Sequence, residues 1–169
     1  MSKLAILATG LVSLLSIPDV IYHPYLLIFR TYLCTLYLFV DCFRTKKRTF
    51  ENNVIYIIHH ISSLYLIFNK NNCDLIVNKM FFLEFGSFIG HLTRYYNKGK
   101  FISKIYWVYD RIYNFPYLII KYKDCIHNHI FAFYILQYIG YIWTMEVIKY
   151  NKYKYILSSI YMIILINYH

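Results

Sequence analysis

At 169 residues the chain is long enough for one domain with a sizeable core. Its apolar share is 59% with 21 tyrosines counted; on the usual definition it falls to about half, the upper edge of soluble composition, so composition alone does not separate a soluble from a membrane protein. The formal charge of +10 suggests nucleic acid, but the basic residues gather at the ends of apolar runs, which argues against that class.

Six apolar segments read as membrane-spanning helices: Leu4–Ile17, Pro24–Phe43, Asn52–Phe68, Leu75–Thr93, Phe101–Ile120 and Ile130–Ile148. They approach the roughly 20 residues that a helix needs to cross a bilayer. The first, Lys3 followed by "LAILATGLVSLL", also reads as a signal peptide. A last apolar stretch, Tyr155–Asn167, is too short to span. If the segments alternate sides, twelve of the 18 basic residues fall on one side, among them Lys3, the "RTKKR" loop, Lys149, Lys152 and Lys154. The other side holds four: Lys70, Lys79, Lys121 and Lys123. That asymmetry places the N-terminus in the cytosol and gives the basic loops an affinity for anionic lipid headgroups. Period-2 alternation is not sustained, so helices are predicted rather than an all-β fold. Cys34, Cys42, Cys73 and Cys125 are scattered without a C-x-x-C pair, so no disulfide framework is expected.

Asp41, Glu84, Asp110, Arg111 and Glu146 lie within these apolar segments. In "FISKIYWVYDRIYNFPYLII" the Asp110–Arg111 pair costs about 6 kcal/mol at a bilayer centre, and the nine Ile, Leu, Val and Phe residues return about 4. Such a segment inserts only with partners, and ionisable residues in membranes face a bundle interior or a wet cavity. The predicted fold is therefore an all-α bundle of about six transmembrane helices around a polar cavity, one domain over 1–169. Helical spacing agrees. Arg30, Cys34, Tyr37 and Asp41 form one stripe, Glu84, Ser87, His91 and Arg94 form another, and Tyr106, Asp110, Tyr113 and Asn114 share a side. Arg111 groups with Trp107 and Phe115, which suits a guanidinium over an aromatic face. Gly86 and Gly90 make a small-xxx-small face for a close helix, and Pro116 is expected to kink its helix.

His59 and His60 sit side by side in "IYIIHHISSLYLIF", with Ser62 and Ser63 beside His59. Two readings stay open: hydrogen-bonded core histidines, or a general base for an amine or hydroxyl near neutral pH. Adjacent histidines lack the i, i+4 zinc spacing and no cysteine pair accompanies them, so no metal is expected. His127 and His129 read as loop residues without a role.

The spans "YLFVD", "IHHISSLYL", "FFLEFGSFIGHL" and "VYDRIYNFPYLI" follow one another in an order that resembles the TLC-domain family of multi-pass membrane proteins, from about Tyr37 to Trp143. That family includes ceramide synthases, translocating-chain-associated membrane proteins and lipid-regulating members. The resemblance implies an endoplasmic-reticulum-type membrane protein with helices around a lipid-sized cavity. It carries family positions onto Asp41, His59, His60, Glu84 and Arg111, and more loosely onto Ser87 and His91. "FFLEFGSFIGHL" lacks the aspartates that the synthases carry there. The expected function is thus binding, sensing or regulation of membrane lipids without a cofactor. Asp41, Ser62, Ser63, Ser87, His91, Asp110 and Arg111 would line the lipid cavity. The alternative is an N-acyltransferase with His59, His60 and Glu84 as catalytic groups, acyl-CoA as co-substrate and a sphingoid amine as acceptor. A third reading is a partner of the protein translocation channel.

Overall fold

A computed structural model describes residues 24–42, 49–69, 86–93, 95–96 and 98–168, with the isolated positions Leu7, Gly10, Leu11, Leu14 and Lys79. Every regular element among them is helical and no strand occurs among them, so the chain is all-α. Helix α1 is Pro24–Cys42, α2 Phe50–Phe68, α3 Lys100–Tyr109, α4 Phe115–Lys121, α5 Lys123–Ile126, α6 Ile130–Val147 and α7 Lys154–Tyr168. A π turn, Asp110–Asn114, joins α3 to α4, and 3-10 turns His127–His129 and Asn151–Tyr153 precede α6 and α7. Residues 86–93 are helical as well. Glu84, Arg94, Cys73, Lys70, the Arg44–Arg48 run and most of Leu4–Ile17 lie outside the described residues, as do the side chains of Asp41 and Cys42.

The helix ends follow local chemistry. Thr49 caps α2, its Oγ1 accepting the Asn52 N–H at 3.3 Å. Helix α6 closes with a Schellman turn: the Lys149 N–H bonds to Glu146 O at 3.1 Å and the Tyr150 N–H to Met145 O at 2.8 Å. That turn requires a left-handed residue, and Lys149 fills the place at φ 69°.

Helix α6, "IFAFYILQYIGYIWTMEV", is apolar on all sides, and a helix of that kind is stable only when surrounded. It is: α2, α3, the π turn, α4, α5 and α7 all pack on it, and α1 packs on α2. Phe115, Ile119, Ile126 and Phe133 are fully buried in this core. Gly10 lies close against 86–93: a Cβ on it would meet Phe88 at 2.9 Å.

One continuous helical stretch among the described residues, Lys123–Val147, is long and apolar enough by length and composition to cross a bilayer. By that measure alone six spans are not established. The physical reason is visible in the sequence: α2 carries Glu51, two asparagines, two histidines and two serines, and the α3–α4 run carries Asp110 and Arg111.

The apolar tail forms α7. Its 15 residues reach about 22 Å, short of the roughly 30 Å hydrocarbon core, and it lies along α6. Ser158, Met162 and Leu165 form its buried stripe, the Tyr141 and Tyr161 rings lie 5.3 Å apart, and Tyr138 OH and Ser159 Oγ are 3.4 Å apart.

A charged tie fixes one end of the bundle. Lys154 Nζ lies 2.9 Å from Glu51 Oε1 and 2.8 Å from Glu146 Oε1, and the Tyr155 hydroxyl donates to Glu51. The starts of α2 and α7 and the end of α6 thus share that end. At the opposite end Tyr65 OH and His129 Nδ1 are 3.1 Å apart, and Lys79 Nζ donates to Tyr122 OH at 2.8 Å. His129 is therefore not idle: it fastens the end of α2 to the start of α6.

The hydrogen bonds from Tyr155 and Lys154 hold the Glu51 carboxyl below its ordinary range. Burial lowers the Lys154 pKa, but the bonds to Glu146 and Glu51 outweigh it and leave the ammonium raised. Glu51's contribution is present above its unfolded pKa, near 4.5, and is lost as pH falls through the depressed folded value. Lys154's contribution persists until pH rises through its raised value. Lys154→Met should lower the unfolding temperature by about 3 °C at pH 7, and the gap from the parent should close as thermal scans are repeated toward pH 3.

Candidate functional site

The site begins with Pro116. Proline has no N–H, so it leaves either the Ile112 carbonyl without its i→i+4 donor or the Arg111 carbonyl without its i→i+5 donor. The backbone takes the second register: the Phe115 N–H bonds to the Asp110 carbonyl, five residues back. The Arg111 carbonyl is left over, and Gln137 of α6 fills it, Nε2 to O at 2.7 Å. Gln137 is itself fully buried. The irregularity expected at Pro116 thus falls on the turn before it, where π turns often mark functional positions.

This register turns two adjacent charged residues inward. Asp110 and Arg111 are both buried. Asn114 Nδ2 donates to Asp110 Oδ1 at 3.3 Å, and the Arg111 guanidinium carbon lies 5.1 Å from the Trp107 ring centroid, as the sequence suggested. Tyr113 departs from the expected inward side. The extra residue of the π turn moves it outward, where its ring lies 5.5 Å from Tyr109 and 6.3 Å from Tyr117.

Two glycines make room. A Cβ on Gly140 would meet Arg111 Cδ at 3.3 Å, so the arginine stem lies directly over α6 there. A Cβ on Gly86 would meet Asp110 Oδ2 at 3.0 Å and Tyr106 Cδ1 at 3.3 Å, and one on Gly90 would meet Ser103 Oγ at 3.5 Å. The glycine pair therefore serves the approach of 86–93 to the α3–π run within one chain.

The histidines come to the same region from α2. The His59 ring lies 4.9 Å from Trp143 and 5.6 Å from His60, and His60 meets Tyr56 edge-on at 4.7 Å. His59 is within electrostatic reach of Arg111. Its Nδ1 is buried and has no hydrogen-bond partner. A sealed imidazole nitrogen is equipped to accept a hydrogen bond or proton from a hydroxyl or amine brought to it. Ser62 is buried. Ser63 donates its hydroxyl to the His59 carbonyl at 2.9 Å, so it serves the helix backbone.

Of the sequence-predicted residues, His59, His60 and Arg111 gather around α6, and Asp110 faces 86–93. In the α1 stripe, Arg30 and Cys34 are buried and Tyr37 packs against the core. Ser87 and His91 are half-buried on 86–93. Sequence reasoning missed Gln137, Gly140, Tyr56 and Trp143. The available signal was Gln137 itself, the one amide in α6. Among the described residues no three His, Cys, Asp or Glu side chains gather as metal ligands do. No protein-family model, curated protein or solved structure matches this chain.

Proposed function

We propose that the chain is a multi-pass membrane protein of TLC type. It sits in an endoplasmic-reticulum-like membrane with its N-terminus in the cytosol. It binds or senses lipid through the polar side chains within its bundle, and so helps regulate membrane lipid composition. The supporting observation is an inverted partition of side chains. Arg30, His60, Asp110, Arg111 and Gln137 are buried, while Phe29, Leu36, Phe101, Ile102, Phe131 and Ile163 face outward. In water, exposed apolar patches beyond a few hundred Å² are rare. In hydrocarbon, inward polarity and an apolar exterior are the stable arrangement.

Native mass spectrometry of protein in mild detergent tests the reading. Retained lipid is expected, and His59→Ala with His60→Ala should shift the ratio of bound species severalfold. Protein that keeps its stability on delipidation and prefers no lipid would count against it.

A second reading, acyl-CoA-dependent N-acylation of a sphingoid amine, draws support from the unpartnered His59 Nδ1. His59 would take the amine proton as the amine attacks the thioester carbonyl and return it to the CoA thiolate that leaves, while His60 with Glu84 would orient that base or stabilise the oxyanion. Membranes given labelled acyl-CoA and sphingoid base should then form amide that disappears on His59→Ala; no product with any acceptor ends this reading.

A further inference from the structure

A cleft of about 570 Å³ opens between α3 and the end of α6, and neither histidine lines it. Its walls are Phe101, Ile105, Val108 and Tyr109 on one side and Val147 and Ile148 on the other, with Lys104 and Lys149 also lining it. The cleft is open to the outside along much of its extent and its accessible wall is almost wholly apolar. Three features distinguish it from an ordinary helix groove. Lys104 and Lys149 have no acidic partner among the described residues, whereas nearby Lys154 has two. Lys149 is held by the left-handed turn and its two backbone bonds, which fix the direction its side chain leaves the helix. Lys149 lies just past the end of α6, followed by exposed Tyr150 and Tyr153, residues of the kind that settle where a bilayer interface holds lipid phosphates, and Lys104 reaches the same cleft from the second turn of α3.

We propose that this cleft holds one anionic phospholipid, its phosphate between Lys104 and Lys149 and an acyl chain along Phe101, Ile105 and Val108. The inference rests on the membrane reading above and assigns it a second lipid site, separate from the polar cluster. A free anion would neutralise the lysines and leave the apolar wall bare; a neutral lipid would cover the wall and leave two cations unmatched. An anionic lipid satisfies both.

The test reconstitutes the intact chain in nanodiscs of equal phosphatidylglycerol and phosphatidylcholine and counts co-purified lipid by native mass spectrometry. The parent should retain phosphatidylglycerol preferentially. Each of Lys104→Gln and Lys149→Gln should lower that preference about fivefold, and the pair about 25-fold. Val108→Trp, which fills the cleft and spares both lysines, should abolish retention there. Millimolar inorganic phosphate should not displace the lipid. Displacement by phosphate, or equal retention in parent and variants, overturns this site and leaves the membrane reading standing. Chain recovered from the aqueous phase without lipid overturns both.

Discussion

Replacing Gly140 with leucine should destabilise the protein by about 3 kcal/mol, while alanine at the same position should be close to neutral. A Cβ at 140 would stand 3.3 Å from Arg111 Cδ, so alanine asks the arginine stem to move a few tenths of an ångström. The roughly 1 kcal/mol gained by removing a helical glycine offsets that strain. Leucine leaves no such room. Its branch would occupy the space of the arginine stem, and Arg111 is buried, so the guanidinium would be driven from Trp107 with no water to receive it. Denaturation in mild detergent would measure both variants. Combining Gly140→Leu with Arg111→Ala should cost clearly less than the sum of the two alone; simple additivity would show that the two residues do not share the space.

Gln137→Leu is expected to cost about 2 kcal/mol, because it strands the buried Arg111 carbonyl. Part of the loss is returned, since Gln137 Oε1 has no hydrogen-bond partner and leucine removes that atom. The informative experiment adds Pro116→Ala. Alanine restores an N–H able to reach the Arg111 carbonyl in the i→i+5 register. In the parent that carbonyl is already filled at 2.7 Å, so Pro116→Ala alone should change little. In the Gln137→Leu background it should recover more than half of the loss. Independent effects in this cycle would mean that proline and glutamine do not answer to one carbonyl.

These two predictions rest on features that are poorly legible in a linear chain. Helices were legible where apolar runs end in polar or charged residues. The expected Pro24–Phe43, Asn52–Phe68 and Ile130–Ile148 became Pro24–Cys42, Phe50–Phe68 and Ile130–Val147. The inward stripe of Arg30 and Cys34 followed from 3.6-residue spacing. The π turn did not follow, because its stability depends on Gln137, 26 residues away. The outward turn of Tyr113 was hidden for the same reason, since one added backbone residue resets every side chain beyond it. The Glu51–Tyr155 contact joins residues 104 apart, and no local periodicity encodes a partner at that distance. The glycines were half-legible: spacing marked Gly86 and Gly90 as a close face, while Gly140, a single glycine in an apolar helix, gave no sign that an arginine lies over it.

Helix α2 is latched twice to its neighbours, by Glu51 to Lys154 in its first turn and by Tyr65 to His129 in its last. A rod pinned at both tips cannot slide along its own axis or tilt about one end without breaking a pin. The histidine pair it carries is therefore held at constant height relative to Trp143. On the proposed function, lipid would reach that pair from the side, by displacement of α1, which leans on α2 and whose Phe29 and Leu36 are exposed.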